Sequence, residues 1–520
     1  MFSKKNMGAL VGLYFSLCAC YSGSLPHGKY STVEEFLAAQ KVIRVTADNT
    51  PGYGNQAASA AVTTRLRDMG FKGKFEFVYA NLTTPKITTL FNLPQDIPDD
   101  YYDSKDNIEF IKLKEFINRH KNKTNELDAL SITGATDDFG CGLATEDGID
   151  IDHGMGPLDC SNPANFLDTE VFASVTPFYD QPNLLAVLDD PDPKLPYEQN
   201  DSDNKFFTMP VATLLEAKDY LQHDPQGQAI LKQKPALTPL IEGMENQQFN
   251  VMPVYGYTIQ ENVCDKRGSP GCFPGNILQM ITAARYAQVN GPASFHKPLV
   301  IAVFYDYSKE ANTLMQLLQT DDWGKYTMPG TLEAKNAINA LGLSKIFSVA
   351  DIADPKTSQQ MEALKPGQIL LVWLGPLPKM IFDGLYNYTN TNVWPQIREG
   401  ANTFDSLVLT GKPHFRCTPE WELGFDWIND PVFKDQFIRF YQYPNGFCDG
   451  MNTWQSNPMI YQDLGNFIVK AENPDSSLST YFQRIKTEAL KPENDRIHYV
   501  LQGVINILNT HSQKGKAAVL

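Results

Sequence analysis

The sequence predicts an α/β protein of two domains, each a parallel sheet faced by helices, and three observations carry that reading. Lys41–Ala47, an Ala57–Met69 helix and Lys74–Tyr79 read as strand, helix, strand, a unit that requires a parallel crossover. A second series of alternating strands and helices begins after Gly291-Pro292. Within it, Gln368–Leu374 is almost wholly apolar, as a strand covered on both faces must be.

In the first series, Lys41–Ala47 is rich in β-branched residues. The helix after it has an apolar stripe of Ala58, Val62, Leu66 and Met69 and is closed by Gly70. A third strand is expected at Ala129–Thr133, ending in the loop Gly134–Gly140. From Asp147 to Asn204 the chain is rich in Asp, Pro and Asn and reads as long loops around one strand near Leu184–Leu188. In the second series, Leu299–Tyr305 is a strand and Lys309–Gln319 a helix with Ala311, Leu314 and Leu318 on one face. Lys345–Val349 is another strand, and Gly375-Pro376-Leu377-Pro378 ends the apolar one before a helix at Met380–Tyr388. The last fifty residues are helical, with Tyr481, Ile485, Val500, Val504 and Leu508 as their apolar positions. The resulting division is a leader at 1–28, an N-terminal domain at 29–292, a C-terminal domain at 293–470 and C-terminal helices at 471–520.

Composition narrows the function. The 520 residues are 42% hydrophobic and 20% charged, which excludes disordered and coiled-coil chains. The net charge of −16 lacks the basic stripe that binding a polyphosphate backbone demands, so no nucleic-acid partner is expected. Lys4 and Lys5 precede the apolar run Met7–Cys20, which has the length of a signal-peptide core and is too short to span a bilayer. Leu17-Cys18-Ala19-Cys20 resembles a lipoprotein box with Cys20 as the acylated residue. The expectation is an exported chain, secreted or attached to a membrane through Cys20, with a cytoplasmic or membrane-associated chain as the alternative. Six further cysteines are arranged as local pairs, Cys141 with Cys160, Cys264 with Cys272 and Cys417 with Cys448, among fifteen possible connectivities. Disulfides and buried free thiols both fit that pattern.

Two loops carry candidate chemistry. Asp48-Asn49-Thr50-Pro51-Gly52-Tyr53-Gly54-Asn55-Gln56 lies between a strand and a helix start, where Gly52 and Gly54 let a ligand approach backbone N–H groups. It matches G-x-G-x-x-A, but four residues separate the strand from the first glycine. The next strand also ends Tyr79-Ala80-Asn81 instead of in an acid, which counts against a nicotinamide dinucleotide. Arg398–Pro413 is the second loop: Gly400 and Ala401 narrow the approach, Asn402 or Thr403 caps a short helix, and Gly411 with Pro413 ends it. That helix is expected to open onto free space, where a diphosphate accepts bonds from its first-turn N–H groups and from the Thr403 hydroxyl. Asp150-Ile151-Asp152-His153 has the spacing of a carboxylate metal motif. Asp190-Pro191-Asp192 and Asp201-Ser202-Asp203 repeat that spacing, so composition explains it and no metal site is expected.

Together, Gly52 and Gly54 in one half and Gly400, Asn402, Thr403, Gly411 and Pro413 in the other resemble the GT-B glycosyltransferases, among them the UDP-glycosyltransferases and the peptidoglycan-precursor N-acetylglucosaminyltransferase. The resemblance rests on roughly thirty residues. It implies two Rossmann-like domains facing a cleft, with the C-terminal helices packing back. It also implies a nucleotide-sugar donor held on the C-terminal domain at Gly400, Ala401, Asn402, Thr403 and Asp405, with Gly375 and Pro376 near the base or phosphates. No cofactor beyond that donor is implied, and the acceptor is left unidentified. The family's loop commonly ends Gly-His, and Asn55 stands in the place of that general base. Asn takes no proton at neutral pH, so Asp48 or Asp138, at strand ends, is the expected substitute. The family's ribose-binding carboxylate falls on Ser406, one residue after Asp405. The expected function is metal-independent sugar transfer, and the alternative is an exported, non-catalytic carbohydrate- or glycolipid-binding lipoprotein.

Overall fold

The structure is a computed structural model and describes residues 30–47, 54–94, 96–120, 128–134, 169–175, 183–187, 197–199, 205–209, 211–255, 275–305, 308–321, 330–398, 401–416 and 457–517. Its strands fall into two sheets. The first comprises β1 (Val42–Ala47), β2 (Lys74–Tyr79), β3 (Asp100–Asp103), β4 (Ile108–Lys112), β5 (Asp128–Thr133), β6 (Thr169–Ser174), β7 (Asn183–Val187) and β8 (Tyr197–Gln199). Their order is β3-β4-β2-β1-β5-β6-β7-β8, with β4-β2-β1-β5-β6 parallel and the strands outside them antiparallel. The second sheet comprises β9 (Asn250–Val254), β10 (Leu299–Val303), β11 (Phe347–Asp351), β12 (Ile369–Trp373), β13 (Gln396–Arg398) and β14 (His414–Arg416). It is parallel throughout, in the order β11-β12-β10-β9-β13-β14. The two Rossmann-like sheets expected from the sequence are therefore present.

The boundary differs from the sequence reading. β9 lies at the centre of the second sheet, and the helices Leu214–His223 and Leu237–Glu245 bury Leu214, Leu221, Leu237, Leu240 and Ile241 in the same core as Val251, Val300 and Leu370. The second domain thus begins upstream of residue 292, close to residue 211. β9 is masked in the sequence by Pro253, since proline normally marks an edge strand. Here the ladder between β9 and β13 is interrupted at that position: Val251 N and Tyr255 N donate to Asn392 O and Ile397 O on either side of it. β4 was hidden by Glu109, whose charge breaks the apolar run but is met by Lys74 at 2.5 Å and Arg119 at 2.7 Å. β3, β6, β8, β13 and β14 were likewise not expected.

The C-terminal helices pack back as expected and join the two halves. Ile460–Ala471 and Ser477–Ala489 bury Ile460, Leu464, Ile468, Tyr481 and Ile485 in the second domain. Arg496–Ala517 instead buries Ile497, Val500, Leu501, Val504 and Ile505 in the first. At the crossing, Arg65 Nε donates to Asp495 Oδ2 at 2.8 Å, while Asp495 Oδ1 accepts from Ile497 N and caps the last helix.

One face of the first sheet carries a buried ion pair. Arg44 of β1 and Glu76 of β2 are register partners, with Nη2 and Nε of Arg44 at 2.7 and 3.1 Å from Oε2 and the guanidinium carbon 4.8 Å from the Phe116 ring. Burial pushes the Glu76 carboxyl up, but Arg44 and then Lys74 outweigh it and hold it below the ordinary range. Its contribution to stability is present above the unfolded carboxylate pKa and is lost as pH falls through the lower folded value. Glu76→Ala leaves Arg44 buried beside a lost partner and is expected to destabilise the N-terminal domain by about 3–5 kcal/mol, read from urea unfolding. The double variant Arg44→Met with Glu76→Leu is expected to lose clearly less; an equal loss would contradict the pairing.

Candidate functional site

Ligands of parallel α/β sheets collect beyond the carboxyl ends of the strands, where the strand order reverses. In the first sheet that point lies between β1 and β5. The helix Gly54–Asp68 is fixed over it by its second turn: Ser59 Oγ donates to Thr46 O at 2.8 Å, Thr133 Oγ1 donates to the same carbonyl at 3.1 Å, and Gly134 N donates to Ser59 Oγ at 3.0 Å. Gly134 follows β5 so closely against the helix that a Cβ there would stand 2.4 Å from the Ala58 carbonyl carbon and the Ser59 nitrogen. Position 134 therefore takes glycine for want of space.

In the second sheet the order reverses between β9 and β13, and the helix Ala401–Val408 begins just after β13. Through Phe404 its inner side rests on Arg398 and His414. Arg398 is fully buried with its guanidinium carbon 4.5 Å from the Phe404 ring, and the His414 ring packs edge-on to Phe404 and Phe482. Burial, reinforced by Arg398, holds His414 well below the ordinary histidine range. It is a neutral core histidine whose Nδ1 lies 3.2 Å from Lys412 O.

The two helix starts meet. Asn402 Nδ2 donates to Gly54 O across the domains, and a Cβ on Gly54 would lie 4.0 Å from that nitrogen. The helix at 401 therefore opens onto the start of the opposite helix and not onto free space as the sequence reading had it. The first N–H groups of each helix have no intrahelical partner, and both starts carry positive partial charge.

The sequence-derived residues divide as follows. Gly54 and Asn402 are brought together, with Asn55 half-buried next in the helix. Ala401 opens the second helix, and Thr403 is 9% exposed in its first turn, so its hydroxyl is largely covered. Asp405 is 1% exposed and Ser406 5%, with Ser406 Oγ donating back to Thr403 O at 2.8 Å. Both are buried, so the Asp405 carboxylate is not open to solvent. Gly375 and Pro376 end β12, two strands from β9. Gly375 has φ +61°, a conformation that favours glycine, and Lys234 Nζ donates to the carbonyl of the preceding Leu374. Asp48, Gly52, Asp138 and Gly400 lie outside the described residues, as do Asp150, Asp152, His153, the leader and all eight cysteines. Among the described residues, no group of three or more His, Cys, Asp or Glu is placed to hold a metal ion, and no helix is long and apolar enough to cross a membrane.

Sequence reasoning missed Lys234 and Tyr305 at these strand ends. Tyr305 closes β10 with 47% of its surface exposed, and its carbonyl accepts from Gly375 N at 3.3 Å. A large aromatic at the carboxyl end of an apolar strand was the available signal for Tyr305. Lys234, the residue just after a helix, offered none.

Neither family models nor curated proteins match the sequence. Among solved structures the chain is similar to MurG of Acinetobacter baumannii, at 11% identity over 90% of this chain and 99% of that one, with a TM-score of 0.33. It is similar to the alpha,alpha-trehalose 6-phosphate synthase of Burkholderia multivorans, at 9% identity over 92% and 100% of the chains, with a TM-score of 0.30. It is also similar to an alpha-glucosyltransferase in complex with UDP and a 13-mer DNA, at 8% identity over 86% and 100%, with a TM-score of 0.30. The assignment of two Rossmann-like sheets follows from the strand order of this chain itself.

Gly134→Val tests the seating of the first helix. The branched side chain would meet backbone, so a destabilisation of about 1–3 kcal/mol or more is expected on unfolding. A variant as stable as the parent would contradict the close approach.

Proposed function

We propose that the chain is a glycosyltransferase that takes a sugar from a nucleoside diphosphate donor and passes it to an acceptor in the gap between its domains. The supporting observation is the meeting of two helix starts, Gly54 and Asn402, each at the point where its own sheet reverses strand order. Two positive helix ends brought together repel one another, and a diphosphate between them would accept N–H bonds from both. The departing diphosphate of a sugar donor gains negative charge in the transition state, which is where such fixed dipoles act most strongly. Donor entry requires the Asn402 bond to Gly54 to be exchanged for bonds to the ligand, so opening and closing of the domains accompanies turnover.

On this reading Asn402 and the first-turn amides of both helices hold the diphosphate. Lys234 adds a cation at the carboxyl end of β12 near Gly375 and Pro376. Asn55 orients but does not accept the acceptor's proton, and that task falls to Asp48 or Asp138. The identity of Asn55 also favours a second reading, a carbohydrate- or glycolipid-binding protein that keeps the donor fold without catalysis. The exported or Cys20-anchored state belongs with that reading, since nucleotide sugars are cytosolic.

The two separate in one experiment. Purified chain is incubated with a panel of nucleotide sugars and assayed for release of the nucleoside diphosphate, with UDP binding measured alongside by thermal shift. The enzyme reading expects both release and stabilisation. Asn402→Asp puts a carboxylate at the helix start, favourable to the helix itself by about 0.3–1 kcal/mol but repulsive to a bound diphosphate. The carboxylate cannot donate to Gly54 O, so the interdomain bond is lost, and UDP binding by the folded variant is expected to weaken at least about tenfold. Undiminished UDP binding by that variant, or no binding by the parent, would overturn the proposal.

A further inference from the structure

The turn that ends the 401–408 helix brings a largely covered lysine near a largely covered acid, neither used by the proposed chemistry. Lys412 Nζ donates to Asn390 O and Val393 O, both at 2.7 Å, on the segment that leads into β13. Its side chain is 20% exposed, and its only salt-bridge partner among the described residues is Glu472, 10% exposed, at 3.9 Å. Glu472 follows the last turn of Ile460–Ala471. The same turn is held by Gln483 of Ser477–Ala489, whose Nε2 donates to Gly411 O at 2.9 Å. Helix 401–408, the approach to β13 and both helices that return along the second domain therefore meet at Gly411-Lys412-Pro413.

The separation of 3.9 Å is too long for a hydrogen bond, and two of the three ammonium hydrogens of Lys412 are already engaged by carbonyls. Among the described residues, no donor hydrogen-bonds the Glu472 carboxylate. An ionised carboxylate there loses its hydration and regains only part of it from Lys412, so the protonated acid is the better-tolerated form. Other titratable or charged groups on the surrounding elements include Asp405, buried on the 401–408 helix; His414, held neutral; Arg398, buried beneath Phe404; Asp463 and Lys470 on the helix before Glu472; and Arg484, Lys486 and Glu488 on Ser477–Ala489. Of these charges only Lys412 acts appreciably on Glu472.

We propose that Lys412 and Glu472 form a proton-sensitive joint that positions the 401–408 helix, closed when Glu472 carries a proton and loosened when it ionises. The inference deepens the functional reading by naming a regulation of the same helix, and it rests on that reading only for its effect on ligand binding. Burial pushes Glu472 up to about 7, with Lys412 opposing, and burial holds Lys412 below the ordinary lysine range. For an acid whose folded pKa lies above its unfolded value, the folded form binds more protons between the two, so docking weakens as pH rises through that interval. Lys412 and Glu472 are positioning residues, since their contacts lie past the end of the helix remote from Asn402.

The experiment is hydrogen exchange on the full chain at pH 6 and pH 8, corrected for the intrinsic pH dependence of exchange. Amides in 401–411 and 460–489 are expected to open about tenfold more readily at pH 8 than at pH 6, and Glu472→Gln to remove that difference. An equal difference in the Gln variant would overturn the joint. Should that variant fail to fold, the infrared carboxyl band of the parent decides: an acid that titrates near neutrality supports the proposal, and the absence of any such acid overturns it. UDP binding measured across the same pH range keeps the two ideas apart. If UDP does not bind at any pH, the functional reading fails while the exchange result stands or falls by itself.

Discussion

The contact between Asn402 and the Gly54 carbonyl is the constraint on which the rest of the arrangement depends. It brings together the positive ends of two helices, each seated where a parallel sheet reverses its strand order. Such an apposition is unfavourable unless something between them offsets the charge. A single side-chain amide does so weakly. An anion does so well, and the proposed diphosphate is one.

What holds each helix in place is chemically different. In the first domain, fixation is by close approach: Gly134 lies against the Ala58–Ser59 backbone, and Ser59 and Thr133 share the Thr46 carbonyl. In the second domain, the helix rests on a buried cation and a neutral histidine and is tied at its far end to the returning helices. The final helix then crosses to the first domain, where Ile497, Val500 and Leu501 join the core. Because β1 and the final helix share one core, the chain passes back into the first domain at Asp495.

Much of this was legible in the sequence. β1, β2, β5, β10 and β12 are apolar or β-branched runs bounded by glycine or proline, and their periodicity alone set the two-domain α/β reading. Two of the strands it missed carry a residue that argues against a strand until its partner is known: Pro253 in β9, excused by a gap in the ladder, and Glu109 in β4, paired with lysine and arginine on neighbouring elements. At the site, the glycine-rich spacing located both helix starts, but burial could not be read from spacing. Asp405 and Ser406 lie within about one helical turn of Asn402, yet both are buried. Lys234 reaches its strand end from 140 residues away, a proximity no local pattern encodes.

The most direct measurement is hydrogen exchange of the chain with and without UDP, resolved to the first turns of the helices Gly54–Asp68 and Ala401–Val408. The account predicts that the nucleotide slows exchange at both starts together, because one ligand bridges them. Protection at only one start, or at neither, would contradict it.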